Sequence, residues 1–263
     1  MKKQTLDWKT KAFNNYSEFV NYILNTPYNN VFEYHRKSST EGTYTFTGTE
    51  SFEEALNLLK TGWTSVAKEI EKKLKAKIRS ISHERTRKSY YDVVGGQASV
   101  PRYLQGIPTN MVNQKIVAKK QKVINVYKNV TYAAFVKTET IKEESVKALE
   151  IVRAIEATGS RVNLFIIMGA KSPQGISFSI KIKSANERLN ISKVAFPMVH
   201  PSMLRRLYFR MIEVFPGITD SDFRNGYGLP AGDELKELIP EGAIFLPNII
   251  GDKKPEEILA GKI

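Results

Sequence analysis

The chain has 263 residues, of which 41% are hydrophobic and 10% aromatic, the composition of a folded globular protein with a sizeable core. It has no cysteine, so disulfide bonds, thiolate zinc sites and cysteine nucleophiles are excluded. The stretch MKKQTLDWKTKAF lacks the apolar region of a signal peptide, and the longest apolar run, LFIIMGA at 164–170, is too short to span a bilayer. We therefore expect a soluble, cytoplasmic protein.

The formal net charge is +13, and nearly all of it lies in the middle of the chain. Residues 66–138 contain 16 Lys or Arg against 4 Asp or Glu, whereas residues 1–65 are neutral overall and residues 139–263 carry +1. The last segment, 211–263, has 5 basic against 10 acidic residues. A basic middle is the electrostatic footprint of a polyanion site, although a solvated basic face that only aids solubility has the same charge count.

Residues 1–92 are predicted to form a mainly helical N-terminal region. An amphipathic segment spans 13–23, and residues 28–48 are rich in Asn, Ser, Thr and Gly, which indicates turns or a hairpin. Ser51 with Glu54 forms a capping box, so a helix is expected from Ser51 to Gly62.

A second helix is expected to begin near Thr64. Its apolar residues recur every four positions, at Val66, Ile70, Leu74 and Ile78. The basic stretch SHERTRK that follows has no clear period and is interpreted as a loop or a frayed helix end.

Residues 93–263 are predicted to form an α/β core with an extended acidic C-terminal segment. The segments QKVINVYKNVTYAAF, RVNLFIIM and GISFSIKIK are typical of strands, and the first two are separated by the helical pattern KTETIKEESVKALEIVRAIEATG. A strand, helix, strand unit of this length favours a right-handed crossover. The expected fold class is therefore α/β with a mixed sheet.

No catalytic residue, metal site or cofactor is predicted. The three histidines, His35, His83 and His200, do not lie at metal-ligand spacing from one another. No P-loop is present, and Gly95-Gly96 lacks the spacing of a dinucleotide fingerprint. A non-enzymatic protein is the favoured interpretation.

The basic middle carries aromatic residues among its charges, which is typical of single-stranded nucleic-acid binding, where cations follow phosphates and rings stack on bases. An alternative is that many of these rings are core residues; Tyr127 and Tyr132, on an expected strand, are predicted to pack inside. The predicted nucleic-acid-binding residues are Lys72, Lys75, Arg79, Arg85, Arg87, Lys88, Tyr90, Tyr91, Arg102, Tyr103, Lys115, Lys119, Lys120 and Lys122.

The stretch SYYDVVGGQASVPRYLQG, at 89–106, is expected to bend between these charges. Gly95 and Gly96 provide backbone freedom for a reversal. Asp92 is the only acid between Glu84 and Glu139, and we expect it to cap the turn or to pair with a nearby arginine. The bend would bring two basic segments together.

The sequence resembles a poorly characterised family of phage and bacterial proteins. The shared pattern comprises SFEEALNLLKTGW, YYDVVGGQASVPRYLQGIPTNM, EESVKALEIVRAIEATGSRVNLFII and RLNISKVAFPMVHPSMLRRLYF, over about residues 51–215. The resemblance implies a degenerate von Willebrand A-like second half. In the loop where that domain carries Asp-x-Ser-x-Ser, this chain has AAFVKTET, so we expect no bound magnesium.

The whole chain is also similar to the single-stranded-DNA-binding transcription activators of enquatroviruses, lytic podophages with a small T7-like RNA polymerase. This resemblance implies a protein that holds melted promoter DNA and recruits the phage RNA polymerase in the cytoplasm of the infected bacterium. The expected partners are single-stranded DNA and that polymerase, with no membrane and no small-molecule substrate.

Two alternatives remain open at this point. The first is a von Willebrand A-like interaction scaffold that works with a partner such as an AAA+ ATPase and presents its basic face to an acidic protein. The second is binding to RNA in place of DNA, because nothing in the sequence addresses the 2′-hydroxyl.

Overall fold

The structure is a computed structural model. It describes residues 7–33, 35–77, 87–116, 122–171, 174–223, 226–252 and 257–258. Four predicted site residues and one predicted core residue lie outside these ranges, namely Arg79, Arg85, Lys119, Lys120 and Ile78.

The described strands form one six-stranded mixed sheet and one three-stranded sheet. In chain order they are β1 (Trp8–Phe13), β2 (Arg87–Asp92), β3 (Gln97–Ala98), β4 (Met111–Ile116), β5 (Val123–Asn129), β6 (Arg161–Lys171), β7 (Gly175–Lys183), β8 (Leu229–Pro230) and β9 (Ile244–Leu246). The main sheet has the order β1-β7-β6-β5-β9, and β8 pairs with β6. β5 is parallel to β6 and β9, β6 is antiparallel to β7, and β7 is parallel to β1.

Helices surround the main sheet and fill most of the first 77 residues. The α-helices are α1 (Tyr16–Asn25), α2 (Ser38–Glu41), α3 (Tyr44–Thr47), α4 (Phe52–Thr61), α5 (Thr64–Lys77), α6 (Val100–Leu104), α7 (Thr138–Ala157), α8 (Ile191–Val199), α9 (Phe209–Val214) and α10 (Asp220–Phe223). Two 3₁₀ helices span Asn30–Glu33 and Asp233–Leu238, and a π-helix spans Met203–Tyr208. The predicted mixed α/β fold class is confirmed.

Local signals explain several of these elements. The Ser51 hydroxyl accepts a hydrogen bond from the Glu54 backbone N–H at 3.0 Å and so caps α4, which is one half of the predicted capping box. The Glu54 carboxylate accepts from the Glu50 N–H at 2.7 Å. Val66, Ile70 and Leu74 are buried along one side of α5, as the spacing predicts. The predicted strand, helix, strand unit is β5, α7 and β6, and its two strands are parallel.

Two segments differ from the sequence expectations, and one helix contains a proline. The Asn-, Ser- and Thr-rich stretch 28–48 forms three short helices instead of a hairpin. The basic stretch interpreted as a loop ends in β2, which begins at Arg87. The residues 191–199 form α8 although Pro197 lies inside it. Pro197 is buried near the C-terminal end of that helix, where tertiary packing outweighs its low helix propensity.

The N-terminal region and the later α/β elements share one core. β1 adds to the edge of β7, with Trp8 opposite Gly175 and Phe13 opposite Ile180. A Cβ atom at Gly175 would lie 2.4 Å from the Trp8 ring, so only glycine allows this close approach. The expected boundary at residue 92 falls within the three-stranded sheet, at the end of β2, while the buried core continues from Phe13 to residues after β9.

The segment after β9 is held against β5 and α7 by hydrogen bonds to buried polar side chains. Lys128, at 0% exposure, donates from Nζ to the carbonyls of Pro247 at 2.5 Å and Asn248 at 2.8 Å. The Tyr132 hydroxyl donates to the same Asn248 carbonyl at 3.1 Å. Glu144 on α7 accepts from the Ile250 N–H at 2.5 Å. These bonds make the segment after β9 part of the fold.

A second buried cation holds the segment 38–50 against the π-helix. Arg206 is fully buried, and its Nε donates to Thr49 Oγ1 at 2.7 Å. The two Nη atoms donate to the carbonyls of Ser39 at 2.9 Å, Gly42 at 3.1 Å and Thr49 at 2.8 Å. Within the described ranges, no helix has both the length and the hydropathy needed to cross a membrane.

Candidate nucleic-acid interface

The small sheet carries most of the described residues of the predicted site. β4 lies in its centre, with β2 and β3 antiparallel on either side. α6 connects the strands, and Pro101 in its first turn supplies a backbone angle that suits a helix start. Residues 89–106, which the sequence predicts to form a bend, therefore run from β2 through β3 into α6.

The predicted reversal occurs at Gly95 and Gly96, and Gly95 allows a close approach rather than a left-handed turn. A Cβ atom at Gly95 would lie 2.9 Å from the Met111 Cβ and 3.0 Å from the Val112 carbonyl oxygen. Neither glycine has a positive φ angle. The absence of a side chain at Gly95 lets the bend lie directly against β4.

Asp92, the single acidic residue of this stretch, forms a hydrogen bond within the turn. Asp92 Oδ1 accepts a hydrogen bond from the Val93 N–H at 2.7 Å. Asn113 on β4 donates from Nδ2 to the Val94 carbonyl at 2.5 Å and ties the turn to the central strand. Of the two expected roles, Asp92 therefore caps the turn, and its partner is a backbone N–H.

The register brings two basic segments onto neighbouring strands. Lys88 on β2 lies directly opposite Lys115 on β4, and Arg87 lies opposite Ile116. Like charges at directly opposed positions destabilise an antiparallel pair by a few tenths of a kcal/mol, roughly the size of other cross-strand pair terms.

Tyrosines lie on the strand and helix beside these charges. Tyr90, Tyr91 and Tyr103 are exposed, and Tyr103 is 67% exposed. The Arg102 guanidinium lies 4.2 Å from the centre of the Tyr91 ring, which is a cation–π contact. Arg102 also donates to the Thr109 carbonyl at 3.0 Å, so this arginine orders the α6 turn as well as contributing charge.

The other predicted site residues belong to elements of the main fold. Lys72 is exposed on α5, and Lys75 lies on the same helix. Lys122 is exposed just before β5, and its carbonyl accepts from the Arg161 N–H at 2.8 Å. Arg79, Arg85, Lys119 and Lys120 fall outside the described residues. The structure therefore places Arg87, Lys88, Tyr90, Tyr91, Arg102, Tyr103 and Lys115 on the small sheet and its helix. By strand alternation, positions 88, 90 and 115 share one face of this sheet, whereas Tyr91, with Arg102 against its ring, lies on the other face.

The part of the small sheet whose side chains are described has no buried core. None of residues 89–114, all of which are described, is buried. Four aliphatic side chains on this unit are also exposed, namely Val93, Val94, Val100 and Leu104.

Sequence reasoning missed a cleft at the carboxyl ends of β5 and β6. Two lobes, of about 300 Å³ and about 330 Å³, share a wall formed by residues 132–135 with Leu204 and Arg205 opposite. The sequence of the loop after β5 carries no motif that indicates a pocket, and its opposite wall, the π-helix, is about seventy positions away in the chain. Only tertiary structure makes this cleft visible.

The larger lobe of the cleft is aromatic. The rings of Phe209 and Tyr227 are stacked, with centroids 3.8 Å apart, and Phe46 continues the stack at 6.3 Å from Phe209. Phe135 lies on the rim of both lobes and is 87% exposed. Gly169 and Ala170, near the end of β6, also line this lobe.

The smaller lobe carries positive charge. Lys137 and Arg205 line it, and Arg205 donates to the carbonyls of Phe46 at 2.5 Å and Ala134 at 3.3 Å. Burial lowers the pKa of His200, which also lines this lobe, to about 4, so His200 is neutral near pH 7. Among the described residues, no cluster of three or more His, Asp or Glu side chains has a geometry that would hold a metal ion.

Comparisons with known proteins place the chain in a family without assigning a function. No curated protein and no solved structure matches it. The family model described as Domain of unknown function (DUF7192) matches residues 3–260. Because that match spans nearly the whole sequence, the chain belongs to the DUF7192 family.

Proposed function

We propose that this protein is a non-enzymatic single-stranded DNA-binding protein whose DNA surface is the small sheet with its basic flanks. The observation that carries this proposal is the register of β2 and β4, which sets Lys88 opposite Lys115 beside exposed tyrosines. Cations that follow phosphates and rings that stack on bases are the two elements of sequence-tolerant single-strand binding.

The small sheet is also suited to a flexible DNA strand that becomes ordered as it binds. Because residues 89–114 bury no side chain, the exposed rings of Tyr90 and Tyr103 are available for stacking without unfolding any core. The segment 66–138, to which this sheet belongs, holds 16 basic and 4 acidic residues. A phosphate backbone lying along it releases counterions, so binding is expected to weaken steeply with salt.

The proposal extends to transcription activation, with recruitment of a T7-like phage RNA polymerase to melted promoter DNA. The acidic face for that contact is the 3₁₀ helix Asp233–Leu238, where Asp233, Glu234 and Glu237 are exposed. This face lies on the segment after β8, and opposite signs on two faces suit two different partners. A phage origin and a polymerase partner rest on the sequence resemblance alone.

The test is fluorescence anisotropy of a labelled oligonucleotide of mixed sequence over a series of salt concentrations. Log affinity is expected to fall with log salt at roughly −0.7 per neutralised phosphate. The double substitution Lys88→Gln/Lys115→Gln should flatten the slope by about 1.4, because two phosphate contacts are lost. A matched control, Lys193→Gln/Lys236→Gln, removes two exposed charges elsewhere and should leave the slope unchanged.

Two results would contradict the proposal. Undetectable binding of single-stranded DNA at low salt would exclude the function itself. A slope that the Lys88→Gln/Lys115→Gln change leaves as steep as in the wild type would remove the small sheet from the DNA surface. Equal or tighter binding of an RNA strand of the same sequence would change the assigned nucleic acid to RNA.

A second function is favoured by the aliphatic side chains of the small sheet. Val93, Val94 and Leu104 are exposed, and aliphatic groups offer a base no ring to stack on. They suit a protein partner, as expected of a von Willebrand A-like scaffold that works with an AAA+ ATPase. Affinity capture from infected cells with and without nuclease separates the two: a partner retained after nuclease, with no co-purified nucleic acid, would favour the scaffold.

A further inference from the structure

The cleft at the carboxyl ends of β5 and β6 lies apart from the residues assigned to DNA. Its walls come from the loop after β5, the π-helix and the segment around Tyr227, none of which belongs to the small sheet. In open α/β sheets, ligands bind outside the carboxyl ends of the parallel strands, where the connections diverge. β5 and β6 are the parallel pair here.

The volume of the cleft suits a small molecule. The lobes of about 300 Å³ and about 330 Å³ each reach the lower limit of ligand pockets. They share Tyr132, Phe135 and Arg205 among their lining residues, so one ligand is able to contact both. A folded peptide or a duplex is too large for either lobe.

The aromatic lobe indicates a planar ring. Phe209 and Tyr227 stack with an angle of 11° between their planes, and Phe46 is tilted by only 29° from Phe209, so the wall consists of nearly parallel rings. Phe135 on the rim is 87% exposed and therefore contributes little to the core. A ring inserted beside this wall would cover apolar surface that the fold leaves open.

The charge of the cleft indicates an anion. Among the described residues that line the two lobes there is no Asp or Glu, whereas Lys137 and Arg205 are both present. Arg205 is oriented by two backbone carbonyls, and its guanidinium lies 4.7 Å from the centre of the Phe46 ring. The guanidinium thus stands between the aromatic lobe and the lobe of Lys137, where it would contact a group joined to the ring.

We propose that this cleft binds a small aromatic anion of nucleotide size. The ring lies in the aromatic lobe beside Phe209 and Phe46, and the phosphate or carboxylate lies between Arg205 and Lys137. This site is additional to the small sheet, and its ligand is either a free nucleotide or the 5′-phosphorylated end of a strand.

The experiment is isothermal titration calorimetry of the full chain with adenosine 5′-monophosphate, adenosine and inorganic phosphate as separate probes. We expect the monophosphate to bind at least about tenfold more tightly than either of the other two, because only it engages both lobes. Absence of measurable binding of the monophosphate at millimolar concentration would overturn the proposal.

Two variants locate the bound molecule. Phe135→Ser removes an exposed ring and should weaken both the monophosphate and adenosine, whereas Lys137→Gln should weaken only the monophosphate. Both residues are exposed, so neither change removes core packing. Leu24→Ser and Lys236→Gln are exposed controls away from the cleft. Unchanged monophosphate binding in both Phe135→Ser and Lys137→Gln would remove the ligand from this cleft.

Two further measurements identify the source of the ligand and distinguish this site from the DNA surface. Displacement of the monophosphate by a 5′-phosphorylated oligonucleotide, but not by its 5′-hydroxyl form, would identify a strand end; no displacement by either would identify a free nucleotide. Lys88→Gln/Lys115→Gln should bind the monophosphate as tightly as the wild type. A loss there would assign the binding to the small sheet and overturn the proposal, whatever the outcome for DNA.

Discussion

Substitution of the buried lysine Lys128 should change how stability depends on pH. This side chain lies at the end of β5 with 0% exposure, and its Nζ donates to the carbonyls of Pro247 and Asn248. Burial lowers its pKa from the ordinary value of 10.5 to about 7, against the opposing attraction of Glu144. The folded protein therefore holds this lysine neutral over a range in which the unfolded chain would protonate it.

The sign and size follow from that difference in pKa. Above about pH 7 the unfolded chain binds more protons at this position than the folded one, so stability rises with pH towards 10.5. Below about pH 7 both states are protonated, and the full cost of burying the charge is present. At 1.36 kcal/mol per pKa unit, the total change is on the order of 5 kcal/mol, with a slope of at most about 1.4 kcal/mol per pH unit.

The assay is urea unfolding, followed by the fluorescence of Trp8 and Trp63, at several pH values from about 6.5 to about 9.5. The relevant quantity is the free energy of unfolding of the wild type minus that of Lys128→Met, because other titrating groups cancel in the difference. We expect it to grow with pH across this range. Lys236→Met, which removes an exposed lysine, is the matched control.

A constant difference for Lys128→Met would refute the reasoning. It would mean that the two carbonyls and Glu144 solvate the ammonium well enough to keep its pKa near the ordinary value. A pKa raised above 10.5, with the attraction of Glu144 outweighing burial, would also give a constant difference over this range, because both states would then stay protonated.

Three other substitutions test separate parts of the structure. Tyr90→Ser should weaken oligonucleotide binding by about 1–3 kcal/mol through lost stacking while leaving the salt slope unchanged, which a titration at several salt concentrations distinguishes. Arg206→Met should lower the free energy of unfolding by at least about 3 kcal/mol, because several buried carbonyls lose a charged donor; a loss below about 1 kcal/mol would show that water replaces it. Ser51→Ala should cost about 1 kcal/mol by removing the α4 cap, and Ser51→Thr should restore most of it in thermal unfolding.

The elements that were predicted correctly are those with local signals. α4 has its Ser51 cap, and α7 lies between two apolar runs, so sequence spacing alone places both. β1 was missed as a strand because WKTKAF is short and its partner, β7, lies more than 160 positions away. α8 is not evident from local signals, because Pro197 argues against a helix until the surrounding core is known.

Part of the candidate interface was also predicted from local signals. Charge counts identified the basic segment, and the Gly95-Gly96 pair indicated the bend that joins it. The pairing of Lys88 with Lys115 depends on strand register, which a single sequence with a short, polar β4 does not specify. The cleft and the burial of Lys128 arise from contacts between distant segments, and composition carries no signal for either.

The pairing of β1 with β7 has a consequence for aggregation. Without residues 8–13, the nine-residue strand β7 would present its backbone N–H and C=O groups as a bare sheet edge, a template for pairing with other copies of the chain. β1 itself carries Lys9 and Lys11, and charged side chains on an outer strand discourage further strand addition. This short segment therefore protects the edge of β7 from strand addition, and fragments that lack it should associate through β7.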